Sequence, residues 1–168
     1  MSMSLRQATT VSLFCFAALC FAGCRNKPAA ALVPADEARS LLLDRNWLDR
    51  LPETARDRLQ VFRFVPSMGG GVFQDRTLYA GQFELFNFEH DGATIRFHLH
   101  HTGEDRTAHY TIERLPEGEE NPYELHLHIK DSPRGGQDYY SIRGMHGGAG
   151  EKDLEAGLRS VWEKPQTP

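Results

Sequence analysis

The chain has 168 residues and a formal charge of −4 at neutral pH, with 19 Lys and Arg against 23 Asp and Glu. That length suits one domain, and ten Phe, five Tyr and two Trp can fill a small core. The acidic balance disfavours nucleic acid and anionic lipid headgroups as partners. The absence of Gly-x-x-x-x-Gly-Lys, Gly-x-Ser-x-Gly and His-Glu-x-x-His leaves the motif-borne enzyme classes without support.

Residues 1–23 read as a secretion signal: a lone Arg6, no acidic residue, and an apolar run over 11–21 that is too short to span a bilayer comfortably. The run ends Phe21-Ala22-Gly23-Cys24, and this resembles the lipobox of bacterial lipoproteins. The resemblance implies cleavage after Gly23, thioether- and amide-linked acyl chains of the palmitate type on Cys24, and a membrane partner held through that anchor. Several buried acyl chains hold far more firmly than one. The alternative is an ordinary signal peptide or an uncleaved anchor with an incidental cysteine. Arg25 in place of Asp after the cysteine resembles the sorting pattern that implies the periplasmic face of the outer membrane in a bacterial cell envelope. Cys15, Cys20 and Cys24 are the three cysteines, so no disulfide can form within the domain. Loss of residues 1–23 removes Arg6 and no acid, which takes the formal charge from −4 to −5.

Residues 24–34 form the acylated cysteine and an Ala/Pro tether. A single domain is expected over 35–164 and a disordered tail over 165–168. A short helix over 35–43, with Ala38, Leu41 and Leu42 on one side, leads into a first strand at 45–48. A second strand follows at 59–66 with Phe62 and Phe64 on one face, and residues 67–71, with three glycines, make a turn. Strands at 72–76 and 78–88 come next. In the latter, Tyr79, Phe83 and Leu85 share one phase and Phe86 and Phe88 the other, so a bulge near Leu85-Phe86 is expected.

Residues 93–130 read as three strands in phase, because Ile95, Phe97 and Leu99, then Ala108, Tyr110 and Ile112, then Leu125, Leu127 and Ile129 each alternate with polar residues. A turn at 102–105 sets Phe97 opposite Tyr110 and Leu99 opposite Ala108, and the next turn sets Tyr110 opposite Leu125. A last strand at 137–144 places Tyr140 opposite Ile129 and Ile142 opposite Leu127. The helix predicted over 151–163 carries Leu154, Leu158, Val161 and Trp162 at i, i+4, i+7 and i+8, with Glu151 and Asp153 at its start, and must pack outside the sheet.

About eight short antiparallel strands in succession suit an up-and-down barrel or a two-sheet β-sandwich. The order of a first-strand Trp, seven further antiparallel strands, a last-strand Arg and a following helix resembles the lipocalin and wider calycin families. That resemblance implies that Trp47 plugs the closed end and that Arg143 lies across its indole ring.

Three functional readings follow. The first is a membrane-anchored binding module with a small apolar ligand inside the barrel, lined by Trp47, Phe62, Phe64, Phe83, Phe97, Leu99, Tyr110, Leu125, Leu127 and Tyr140. The second is an envelope lipoprotein whose interior is filled by these side chains and which contacts other proteins through loops such as Met68-Gly69-Gly70-Gly71. An enzyme is the third and is disfavoured, since carboxylates such as Glu84 and Glu89 have no partner across a cleft. The same registers gather His98, His100, His109, His126 and His128 on the outer face. With Glu124, those imidazoles suit zinc or copper; the alternative is a solvated face without a cofactor. Their protonation would crowd like charges and weaken the fold towards acid.

Overall fold

A computed structural model describes residues 29–118, 121–144 and 151–162, with side chains for all but 151–153 and 160–162. The signal, Cys24, most of the tether and residues 163–168 lie outside the described residues. The elements in order are β1 (Ala31–Leu32), α1 (Ala35–Leu41), β2 (Trp47–Leu48), β3 (Leu59–Val65), a 3-10 turn (Pro66–Met68), β4 (Gly70–Arg76), β5 (Gly81–His90), β6 (Thr94–Leu99), β7 (Glu104–Arg114), β8 (Tyr123–Lys130), β9 (Asp138–Ile142) and α2 (Glu151–Trp162).

Strands β2 to β9 form a closed antiparallel ring in which each pairs with its neighbours in sequence, and Leu48↔Tyr140 joins the last to the first. This is a lipocalin-like up-and-down barrel, not a two-sheet sandwich. Closure leaves far less edge for stray pairing. The two residues of β1 add to β7 at Glu113 and Arg114, beyond the end of β6. Helix α1 has acidic Asp36 and Glu37 in its first turn and Arg39 in its last, matching the helix dipole. It buries Ala38, and with Val33, Leu42 and Trp47 it plugs one end of the barrel. The indole nitrogen of Trp47 donates to the Leu42 carbonyl at 3.0 Å, which ties plug and strand together.

Two cores result from the strand alternation. The inner one holds Trp47, Phe62, Phe64, Phe97, Tyr110, Leu125 and their neighbours. The outer one sets Leu48, Leu59, Val61, Leu78 and Ile142 under Leu154 and Leu158 of α2. Each of those leucines contributes roughly 1.5–3 kcal/mol on burial. The Val161 and Trp162 side chains lie outside the described ones.

Three expected registers and one expected bulge differ. The β6–β7 hairpin reverses two residues earlier than expected, with Thr102 and Gly103 N–H groups donating to the Leu99 carbonyl, so Phe97 faces Arg106 and Leu99 faces Glu104. The β7–β8 reversal comes later, so Tyr110 faces Ile129 rather than Leu125. Both slips amount to four residues. Because four is even, the buried set stays inside. The β8–β9 slip is odd: Leu127 faces Tyr139 and His126 faces Tyr140, with a bulge between Tyr123 and Leu125. Tyr139 and Ser141 therefore point inward, while Ile142 joins the outer core. In β5 no bulge occurs, since its pairs with β4 and β6 run without a shift from Gly81 to His90.

Candidate functional site

The barrel axis is occupied by aromatic rings. Phe62 sits at the centre, with ring centroids 5.8 Å from Phe64, 4.9 Å from Phe73, 5.8 Å from Phe86, 6.1 Å from Phe97 and 5.1 Å from Tyr139. Such offset and edge-on contacts are the favoured aromatic geometry and leave little room between rings. The phenols of Tyr110 and Tyr139 are pushed up to about 12, chiefly by burial.

Eight of the ten expected lining residues, Trp47, Phe62, Phe64, Phe97, Leu99, Tyr110, Leu125 and Leu127, belong to this inner core. The other two do not. Phe83 pairs with Gln74 on the outer face and is 69% exposed, because without a bulge β5 turns Phe86 and Phe88 inward instead. Tyr140 lies outside because of the odd slip in β9, and stacks on Tyr123 and His126. Sequence reasoning left Phe73, Phe86 and Tyr139 out of the lining. Phe73 was detectable, since it holds the only aromatic position in its strand.

The end opposite α1 carries a polar lid. Glu84 lies opposite Phe73 and so faces inward; it is ion-paired with Arg134 from the β8–β9 loop and lies 3.3 Å from Nδ1 of His101. The Arg134 guanidinium sits 5.2 Å from the centroid of the Phe73 ring, a cation–π contact, and burial holds its pKa below the usual arginine value. Arg58 reaches Asp75 through two bonds of 2.9 and 2.8 Å. Glu89 is paired with Arg96 at 2.6 Å. Arg143 does not lie over Trp47. It is exposed and donates to Glu117 at 2.7 Å, because residues beyond Ile142 leave the sheet.

The histidine patch is likewise undone by register. His98 faces Asp105 and bonds it at 2.8 Å, while His100 bonds Asn87 at 3.2 Å. His109 lies between Thr94 and Lys130. His126 meets Glu113 at 3.2 Å and Asp138 at 2.9 Å, and His128 meets the same Asp138 oxygen at 2.9 Å. Glu124 is paired with Arg45 at 3.5 Å. Among the described residues no three His, Asp or Glu side chains are arranged to hold a metal ion.

Hydrogen bonds from His128 and His126 hold the Asp138 carboxyl below its ordinary pKa. Its contribution is present above the unfolded value of about 3.9 and is lost as the pH falls through the depressed folded value. Asp138→Asn should therefore lower stability at neutral pH by less than about 1 kcal/mol, because the side chain is half exposed. Urea titrations across pH should show the gap to the unmodified protein closing in acid.

The large apolar side chains left to solvent are on the outside. Leu32 is exposed on β1, beside β7; the other four, Tyr79, Phe83, Leu85 and Met68, are 72%, 69%, 50% and 73% exposed and follow β4 and β5 from one end of the barrel to the other. Between Met68 and Leu85 lies a groove of about 140 Å³ lined also by Val65, Gly70, Val72, Asn87 and His100, with Gly71 and Phe86 behind. Gly70 and Gly71 let β4 approach β5 closely: a Cβ on Gly71 would overlap the Phe86 ring, and one on Gly70 the Phe86 carbonyl oxygen. Comparison with protein-family models, curated proteins and solved structures finds no match for this chain.

Proposed function

We propose that this is a lipid-anchored protein of the bacterial cell envelope, held through acyl chains on Cys24 at the periplasmic face of the outer membrane, and that its filled barrel is a scaffold presenting the outer β3–β5 face to another protein. No catalytic step is assigned to it. The observation that carries the reading is the distribution of apolar surface. Phenylalanine rings occupy the space where a lipocalin-like barrel would hold a ligand, whereas Tyr79, Phe83, Leu85 and Met68 are left outside on one face. Contiguous exposed apolar surface of this kind marks interaction sites. Support for the anchor comes from the Phe21-Ala22-Gly23-Cys24 pattern. Because β1 attaches the chain to β7 from Ala31, the stretch from Cys24 to the barrel reaches at most about 25 Å, and the end plugged by α1 is then the membrane-proximal one.

Two results in the producing bacterium test this reading together. Metabolic acyl labelling and membrane fractionation should both be lost in Cys24→Ala. A photo-crosslinking amino acid at Phe83 should give a discrete adduct that the same group at Thr107, on a different part of the outer face, does not. Labelling that survives Cys24→Ala, or equal adducts at both positions, would contradict it.

A further inference from the structure

We propose that the groove beside Gly70 receives one apolar side chain of an extended acidic peptide segment of the partner protein, with Arg63 taking the adjacent carboxylate. The inference rests on the reading of the outer face as the working surface and names the chemistry that would be recognised there. Its size is that of a single side chain, well below the several hundred Å³ of a pocket for a free small ligand. Val65, Val72, Leu85 and Met68 supply apolar walls, and Asn87 and His100, bonded to one another, a polar rim.

Charge sets the sign of the partner. The outward residues of β3, β4 and β5 from Leu59 to Asn87 include no carboxylate, since Asp75 and Glu84 face the barrel interior; Glu89, the next outward residue of β5, is already paired with Arg96. Arg76 on that face lies beneath α2, near Glu155. Arg63 is different. It sits opposite Val72 and two residues before Val65, both walls of the groove, and is half-buried. Its Nε is buried without a hydrogen-bond partner among the described residues. A half-buried guanidinium on the residue paired with one wall of an apolar slot suits a carboxylate next to an apolar group, and such a pair is stronger than one in open solvent.

The test uses the full-length protein in detergent micelles, labelled at Leu and Val methyl groups and titrated with N-acetylphenylalanine, which joins an aromatic ring to a carboxylate. Saturable NMR shifts of the Val65, Val72 and Leu85 methyls are expected near a millimolar Kd. Binding should be about fivefold weaker for uncharged N-acetylphenylalaninamide and for the acid on Arg63→Gln, and largely restored in Arg63→Lys. Absence of saturable shifts, or equal affinity for acid and amide, would overturn the proposal. Shifts of the same methyls on dilution of the protein alone would assign the groove to a second copy and overturn it too. A crosslink at Phe83 that persists through any of these failures would leave the broader reading standing.

Discussion

Phe62→Ala should lower the unfolding free energy by about 3–5 kcal/mol, read from the urea midpoint by tryptophan fluorescence. The loss is expected at the upper end for a single side chain because Phe62 touches five other rings, none of which can move in without breaking its own contacts. Arg96→Ala is the matched control. It lies on the outer face of β6 with its side chain 70% exposed, and its removal should cost well under about 1 kcal/mol despite the ion pair with Glu89. Similar losses at the two positions would mean that the ring cluster is not tightly packed.

Gly92→Ala should be the most damaging of the conservative changes, because two effects coincide. Gly92 has φ of +103° in the β5–β6 turn, a conformation L side chains rarely adopt, and a Cβ there would overlap the carbonyl oxygen of Ala35. That oxygen belongs to the first residue of α1 and is backbone, so relief requires the plug itself to shift. Gly103 separates the two effects: its φ is +68°, yet a Cβ there meets no atom within 4 Å. Gly103→Ala should therefore cost about 1–2 kcal/mol, and Gly92→Ala roughly 3 kcal/mol or more. Amide exchange should also distinguish them. The Ala38 and Leu42 amides, which bond Pro34 and Ala38 carbonyls, should lose protection in Gly92→Ala alone.

Much of the barrel was legible because a half-buried strand writes its inner face as every second residue. Ile95, Phe97 and Leu99 needed only that rule, and so did Leu125, Leu127 and Ile129. Cross-strand neighbours were not legible, because the point of reversal in each hairpin depends on turn geometry that several sequences can satisfy. A four-residue slip passed without harm to the core. It did separate His98, His109 and His126, whose apparent convergence existed only in the wrong register. Where two aromatics stood side by side, as in Tyr139-Tyr140, or phenylalanines fell in both phases, as in β5, periodicity carried no information. There Tyr140 and Phe83 were misassigned for the same reason.

The groove and the lid were hidden for a different reason. The groove arises where Val65, Gly70, Val72, Leu85 and His100 from four strands or their ends meet around a missing side chain. Three-dimensional register creates it, and no local pattern marks it. Arg134 sits in a loop seventeen residues after Glu117, the partner taken by Arg143, and nothing in its neighbourhood ties it to Glu84 fifty residues earlier. Phe83 was recognised as apolar and in an alternating strand, but its side of the sheet was not.

On the proposed reading, the space inside the barrel belongs to the protein's own side chains and a partner meets the outside. Native mass spectrometry of the protein purified from its own host decides whether anything else occupies that space. The expected mass in every preparation is that of the polypeptide with the proposed acyl chains on Cys24, and nothing more. A small apolar molecule bound one to one across preparations, and lost when an inner ring is replaced by a bulkier one at Phe97→Trp, would contradict it.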